Sequence, residues 1–291
     1  MGLLKKIFGA DQTTSKQEQA DKEEKDFDML KYDGVRALKS GQSDYAVKCF
    51  QAALELKEDL EVRDYLSQAF IHMDEMQLAF EQLQKLSQAQ PDNKQIWMHM
   101  SQVAYMMEDY DAMAEACQKG MALDEKDYRL PYFYSQACIG KGDLITGIAM
   151  LTKSLSLEDN VHAHLLRGET LLKMGDVAGA DEDALWLLDH LEESNDETLL
   201  LKARILTAQG KVDDAIIYYN KVVNLNPFCA VAYKERGALY LAKGDKEKAE
   251  EDMRQFLEVS PKEVAAVTGE YKAEGKEHCS SQQRAEDQTA Q

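Results

Sequence analysis

The most restrictive feature of this sequence is a set of small residues and prolines that returns after 34 residues near the C-terminal end. The matching positions are Ala203, Gly210, Ala215 and Pro227 in one copy and Gly237, Gly244, Ala249 and Pro261 in the next. A fixed period of 20–50 residues is typical of a solenoid or another repeat array. Residues 196–261 are therefore the reference against which the rest of the chain is compared.

Extending this period in both directions divides most of the chain into seven units whose lengths vary by one residue around 34. The units are 27–59, 60–93, 94–127, 128–160, 161–195, 196–229 and 230–263. Each unit carries a small residue in its first apolar segment and a turn position seven residues later. The turn positions are Gly41, Asp74, Glu108, Gly142, Gly175, Gly210 and Gly244. This pattern predicts two helices per unit, because paired helices approach closely at small residues and a turn glycine supplies positive φ.

The ends of the helices are also predicted by residue type. Asp26, Asp59, Asp127 and Asn160 precede apolar segments, where an Asp or Asn side chain can accept from a free backbone N–H. Prolines such as Pro91 end the second helix of a unit. One helical pair cannot bury its apolar face alone, so neighbouring pairs are expected to stack.

These motifs resemble the tetratricopeptide repeat family. The run Tyr233-Lys-Glu-Arg-Gly237-Ala-Leu-Tyr240-Leu-Ala-Lys-Gly244-Asp-Lys-Glu-Lys-Ala249 is similar to its signature, and so are Gly34, Gly41, Ala46, Phe50, Ala53 and Leu54. The resemblance covers residues 27–263 and implies an all-α fold, a right-handed α-solenoid of about seven helix-turn-helix units. Unit 3 departs from the signature at Glu108 and Met113, and unit 4 departs at Pro131 and Gly147.

The two ends of the chain lie outside the repeats. Residues 264–275 are expected to form a C-terminal capping helix, and residues 276–291 a disordered tail. Residues 1–10 have large apolar residues beside two lysines, which suits a short amphipathic segment that touches a membrane surface or a partner, or a frayed terminus. Membrane contact through Met1–Phe8 is expected to be weak. Residues 11–26 have the composition of a polar linker.

Charge and cysteine content exclude several classes of protein. The net charge is −19, from 53 acidic and 34 basic residues, and no basic stripe is present, so nucleic acid is not an expected partner. An acidic surface that aids solubility is the simpler explanation, and steering of basic partners is the alternative.

The five cysteines are odd in number and lack a CxxC motif. They indicate a reducing, cytoplasmic location without structural disulfides or zinc.

The resemblance places binding on the concave face, which the first helix of each unit lines in this family. The candidate groove residues are Asp64, Gln68, Met98, Gln102, Tyr105, Tyr132, Gln136, Glu169 and Arg204. Gln68, Gln102 and Gln136 are spaced by 34 residues, and an amide can pair with a peptide backbone. The alternative is that the glutamines are ordinary exposed residues and that the Met and Tyr side chains fill packing gaps. Glu169 and Arg204 are expected to pair with each other.

No catalytic or cofactor motif is present. Walker, GxGxxG, HExxH and GxSxG patterns are missing from the sequence. The family's carboxylate clamp is not supported either. It has a lysine followed one helical turn later by an asparagine, whereas here Lys31 is followed one turn later by Val35. The later clamp positions hold Tyr65, Gln95 and His99. The sequence predicts a non-catalytic scaffold that binds a protein or peptide and needs no cofactor or metal. The alternative is an adaptor tethered to a membrane or complex through residues 1–10, and an enzyme is the third hypothesis.

Overall fold

The computed structural model describes residues 3–191 and 195–260, with side chains from Gln19 onward. Within these residues the regular structure is helical, which confirms the all-α prediction. The fourteen helices are α1 (Leu3–Lys39), α2 (Ser43–Leu56), α3 (Leu60–His72), α4 (Met76–Ala89), α5 (Lys94–Met106), α6 (Tyr110–Leu123), α7 (Arg129–Gly140), α8 (Leu144–Leu157), α9 (Val161–Met174), α10 (Val177–His190), α11 (Asp196–Ala208), α12 (Val212–Leu225), α13 (Ala230–Ala242) and α14 (Lys246–Val259). The predicted capping helix and tail, and the side chains of residues 1–10, lie outside the described part.

The helices belong to two compact units, Met1–Ala163 and His164–Gln291. In the first unit each helix from α1 to α7 packs against the helix that follows it, and α1 also contacts α3 while α5 contacts α7. In the second unit the same succession runs from α10 to α14. Contact between successive helices is the packing of an α-solenoid, in which each helical pair buries its apolar face on its neighbours.

All seven predicted turn positions have a positive φ. Five are glycines, and the other two are Asp74 with φ 62° and Glu108 with φ 56°. The left-handed region costs a residue with a Cβ atom about 1–2 kcal/mol, and glycine largely avoids that cost. The turn between paired helices is therefore retained at units 2 and 3 even where glycine is missing.

Small residues occur where the paired helices cross. A Cβ atom on Gly34 would lie 2.5 Å from the Phe50 ring, so only glycine fits there without a shift. Buried serines take this position in units 2, 3 and 4, and each hydroxyl donates to the carbonyl three residues earlier at 2.6–2.7 Å. These serines are Ser67, Ser101 and Ser135. Because their hydroxyls are satisfied within their own helix, the core accepts them.

Two of the four predicted helix caps form as expected. Asp59 accepts from the backbone N–H of Val62 at 2.9 Å, and Asn160 accepts from Ala163 at 2.8 Å. Asp127 lies one residue before the cap of α7 and accepts from the backbone N–H of Arg129 instead. Asp26 lies inside α1, so that cap is wrong.

Residues 11–26, for which a polar linker is predicted, lie within α1, which runs through them without a break. The segment contains no glycine or proline and is rich in Gln, Glu and Lys, which have good helix propensity. Residues 19–25 are exposed, and Phe27 is the first buried side chain described in α1. The helix therefore extends beyond the packed repeats before it enters the core.

Candidate functional site

An open cavity of about 300 Å³ lies between the first helices of units 2 and 3. It is lined by Leu60, Glu61, Asp64, Leu86, Gln90, Asn93, Gln95, Ile96 and His99. Asp64, a predicted groove residue, therefore lies beside Gln95 and His99, which occupy the clamp-like positions of α5. Carboxylate, amide and imidazole groups line one concave surface and give it both acceptors and donors.

The acidic side of this cavity is partly neutralised by α1. Lys31 Nζ lies 2.6 Å from Glu61 Oε2 and 3.4 Å from Asp59 Oδ1. The Glu61 carboxylate raises the pKa of Lys31, and Lys31 in turn lowers the pKa of Glu61. Tyr65 also donates to Glu61 at 3.1 Å. Lys31 is therefore engaged by carboxylates of the protein and does not present the free cation that a carboxylate clamp needs.

The exposed strip of α5 continues from the cavity along the helix. Gln95, Gln102, Tyr105 and Met106 are exposed and His99 is half-buried, at the three- and four-residue spacing of one helix face. α5 packs against α4, α6 and α7, and this face of the helix is left open to solvent. We call residues 95, 99, 102, 105 and 106 the α5 strip.

Met98 is wrong as a groove residue. Its side chain is 3 % exposed and lies in the core, although its sequence position suggested the open face. The reason is geometric: Met98 is one position before His99, and one residue is a rotation of about 100° around a helix. The sequence pattern identified the correct helix but the wrong side of it at this residue.

The three spaced glutamines differ in their surroundings. Gln68 donates to Asp64 Oδ2 at 2.8 Å, and Gln136 donates to the Tyr132 hydroxyl at 3.3 Å, each four residues earlier on the same helix. Gln102 is exposed. No hydrogen bond joins one of these described glutamines to another. Gln102 therefore has the amide most available to a ligand.

Two tyrosines lie beside Gln102 and Gln136. Tyr105 is 48 % exposed, whereas Tyr132 is half-buried. Burial raises the pKa of the Tyr132 phenol, and the nearby Tyr105 phenol raises it further. The interaction places two predicted groove residues, from α5 and α7, close to each other. Tyr132 therefore lies near the part of the α5 strip that Tyr105 forms.

In the second unit, Glu169 and Arg204 line an open cavity of about 370 Å³ with Leu172, Lys173 and Leu201. The predicted pair between Glu169 and Arg204 is wrong. Arg204 binds the Glu235 carboxylate through Nε and Nη2 at 2.9–3.1 Å. The surrounding protein raises the pKa of the Glu169 carboxyl group, and the charge of Arg204 opposes that shift.

Glu235 has a second partner, which explains why Arg204 pairs with Glu235 and not with Glu169. The Tyr219 hydroxyl donates to Glu235 Oε2 at 2.9 Å. A planar guanidinium and a carboxylate can form two parallel hydrogen bonds, and the tyrosine holds the carboxylate in place for them. Burial raises the pKa of Tyr219, which therefore remains a donor.

Buried ion pairs of the second unit were missed from sequence. Asp183 is 1 % exposed and accepts from Arg167 Nε and Nη2 at 2.9 and 2.7 Å. Asp183 is therefore buried although Glu182, its neighbour in the chain, is exposed. The same pair recurs as Arg236 and Asp252, again 16 residues apart. That recurrence, 69 residues along the chain, is the sequence signal that could have revealed both pairs.

Metal and membrane sites were also considered. Within the described residues, no group of three or more His, Cys, Asp or Glu side chains is arranged to hold a metal ion. None of the helices in residues 3–191 and 195–260 combines the length and apolar character that crossing a bilayer requires.

The helical pairs, their positive-φ turns and their successive packing define a class: proteins built from stacked helical hairpins. Family models described as tetratricopeptide repeat match residues 165–230 and residues 230–263. Residues 165–263 therefore belong to the tetratricopeptide repeat family. A search of curated protein sequences found no match.

Solved structures show the same fold. A tetratricopeptide repeat protein from Parabacteroides merdae is 15% identical with a TM-score of 0.68, covering 84% of this chain and 97% of that one. PilW, a type IV pilus biogenesis factor, is 16% identical with a TM-score of 0.63, over 72% of this chain and 98% of PilW. YrrB, described as having an unusual peptide-binding site, is 18% identical with a TM-score of 0.52, over 64% and 96%. The fold is one used by protein-interaction scaffolds.

Proposed function

We propose that this protein is a non-catalytic scaffold that binds an extended peptide along the first helices of its N-terminal unit. The observation that carries the proposal is the α5 strip, which joins a cavity of about 300 Å³ to an exposed tyrosine. Polar groups that can pair with a peptide backbone lie beside an aromatic surface that can pack on its side chains. The peptide-binding site named for YrrB gives the fold a precedent.

The binding residues differ in how much of their side chain is free. Gln102 and Tyr105 are exposed and His99 is half-buried at the edge of the cavity, so these three are assigned the main contacts. Gln68 and Gln136 already bond within their own helices and contribute less, because a ligand must displace those bonds. The cavity at Glu169 and Arg204 is a separate candidate within the second unit.

The test is selection of binding peptides from a random displayed library on the purified protein. Binding of the selected peptides is then measured by fluorescence anisotropy. Replacing His99, Gln102 and Tyr105 by alanine is expected to weaken binding about 30-fold, because a few central contacts dominate such interfaces. The control variant Glu81→Ala, Lys119→Ala removes exposed residues of α4 and α6 and is expected to leave binding unchanged. Peptides that bind the triple variant as tightly as the original protein would overturn the proposal.

A second candidate function is an adaptor tethered through residues 1–10 to a membrane or a larger complex. It is favoured by α1, whose residues 3–26 precede the packed repeats and span about 36 Å as a helix. Cell fractionation of a variant lacking residues 1–10 tests it, and an unchanged distribution contradicts it. A cytoplasmic location is part of the main proposal and is supported by the described cysteines, which are all free.

A further inference from the structure

A second cavity, on the opposite side of α5 from the strip, has a different chemistry. It has a volume of about 290 Å³ and is lined by Phe80, Gln84, Ser87, Gln88, Trp97, Met100, Ala112, Glu115 and Ala116. Buried Phe80 and Met100 form its floor, and the half-buried Trp97 forms a wall. The indole Nε1 donates to the Pro91 carbonyl at 2.7 Å, which fixes the ring. We call this cavity the Trp97 pocket.

The neighbouring repeats have polar contacts at the same position. One repeat earlier, Arg63 replaces Trp97 and donates to Gln82, the counterpart of Ala116, at 2.8 Å. One repeat later, Tyr134 replaces Met100, and its hydroxyl accepts from Gln118 at 2.9 Å. Between them, Ala112 and Ala116 leave space beside an aromatic wall. The equivalent cavity one repeat earlier, of about 500 Å³, is lined by the basic residues Arg63 and Lys85, whereas the Trp97 pocket is lined by an aromatic ring and two alanines.

The rim of the pocket favours a basic occupant. Glu115 is the charged residue of the lining, and it is exposed. A segment that combines apolar and basic residues therefore complements this face. An apolar side chain would enter the pocket while a lysine meets Glu115 at its edge.

One segment of this chain has that composition. Residues 3–8 read Leu-Leu-Lys-Lys-Ile-Phe, with large apolar residues on both sides of two lysines. They begin α1, and residues 19–25 of that helix are exposed, so the segment is carried away from the repeats of its own chain. A continuous helix over residues 3–26 cannot fold back, which leaves a second molecule as the accessible acceptor.

We propose that residues 3–8 of one molecule dock into the Trp97 pocket of a second copy of this chain. Reciprocal docking of two copies gives a closed dimer, in which each molecule supplies one segment and one pocket. The proposal is independent of peptide binding at the α5 strip, because the residues involved are different and lie on another face.

The first test uses a synthetic peptide of residues 1–10 and the fluorescence of Trp97. The protein carries the change Trp186→Phe, which removes the other tryptophan, and lacks residues 1–10 so that the pocket is open. The peptide is expected to change Trp97 emission with saturation. Glu115→Lys is expected to weaken binding about tenfold, because an attraction becomes a repulsion. Glu81→Lys, the same change one repeat earlier and outside the lining, is the matched control and is expected to have no effect.

A second variant fills the pocket. Ala116→Met introduces the residue found one repeat later, at Met150, and is expected to abolish the emission change. Circular dichroism confirms that the variant is folded, and Ala112→Leu, at a half-buried position of the rim, replaces it if the first variant does not fold.

The full chain supplies the last measurement. Sedimentation of the intact protein is expected to show a concentration-dependent dimer that is lost on deletion of residues 1–10 and in Glu115→Lys. A peptide that leaves Trp97 emission unchanged, or a dimer that survives both changes, overturns the proposal. Binding of the peptide to anionic vesicles without an effect on Trp97 also overturns it and assigns residues 1–10 to a membrane surface.

Discussion

Asp127 provides the sharpest test of the electrostatics of the first unit. Its carboxylate accepts from Arg129 Nε and Nη2 at 2.9 and 2.7 Å, and from the Arg129 backbone N–H at 3.1 Å. Lys94 Nζ lies 2.9 Å away. The side chain of Asp127 is 5% exposed, whereas those of Lys94 and Arg129 are 25% and 42% exposed. Arg129 therefore holds the pKa of Asp127 well below its usual range.

The change Asp127→Asn is expected to lower the free energy of unfolding by about 2 kcal/mol. Hydrogen bonds to a charged group contribute about 1.5–3 kcal/mol each, and the exposure of both cations reduces their share. An asparagine keeps the size of the side chain but loses its charge and one acceptor. The quantity is measured by urea unfolding followed by circular dichroism.

The pH dependence separates this charge effect from a packing effect. Because the pKa of Asp127 is depressed, the stabilisation is present above the unfolded pKa of about 3.9 and is lost as the pH falls toward the folded pKa. The difference between the original protein and Asp127→Asn is therefore constant from about pH 7 to about pH 5 and shrinks below that.

The control variant for this measurement is Glu125→Gln, which removes an exposed carboxylate two residues away. It is expected to change the free energy of unfolding by less than about 0.5 kcal/mol. An equal loss in both variants would show that net charge, not the Asp127 contacts, is responsible. A difference for Asp127→Asn that persists unchanged below about pH 4 would refute the assignment to its ionisation.

Two further predictions concern the backbone of the repeats. Glu108→Gly is expected to raise the free energy of unfolding by about 0.5–1 kcal/mol, since relief of the left-handed strain exceeds the extra entropy of an unfolded glycine; a lower urea midpoint would contradict it. Gly34→Ala is expected to lower the free energy of unfolding by about 1–3 kcal/mol, because the new methyl group meets the Phe50 ring; an unchanged thermal midpoint would show that the ring moves aside freely.

The turns and helix pairs were predictable because the requirement at each is local. A positive φ is set by the few residues around the turn, and five glycines mark it directly. Asp74 and Glu108 were predicted only because the period of 34 residues placed them in the same position as the glycines. The repeat therefore carries information that the residue type alone does not.

The polar partners were not predictable in the same way, because several residues compete for one charge. Glu169 and Arg204 occupy equivalent positions in neighbouring repeats, yet Arg204 binds Glu235, which Tyr219 also holds. Sequence spacing shows which groups are near, but the partner is decided by how well a carboxylate is already oriented and by how many donors share it.

Binding surfaces in this protein are best sought where one repeat differs from its neighbours. The position that holds a small residue in every repeat is committed to packing, as Gly34 is under Phe50 and Ser101 is in the core. Where one repeat carries a different side chain from its neighbours at an equivalent position, the surface between its helices has a different lining. Trp97 and Ala116 give the Trp97 pocket an apolar lining, whereas Arg63 and Gln82, at the equivalent positions one repeat earlier, bond each other and give that cavity a polar and basic lining. Exchanging the pair Trp97 and Ala116 for arginine and glutamine should therefore give the Trp97 pocket the polar lining of its neighbour and weaken its binding of an apolar side chain.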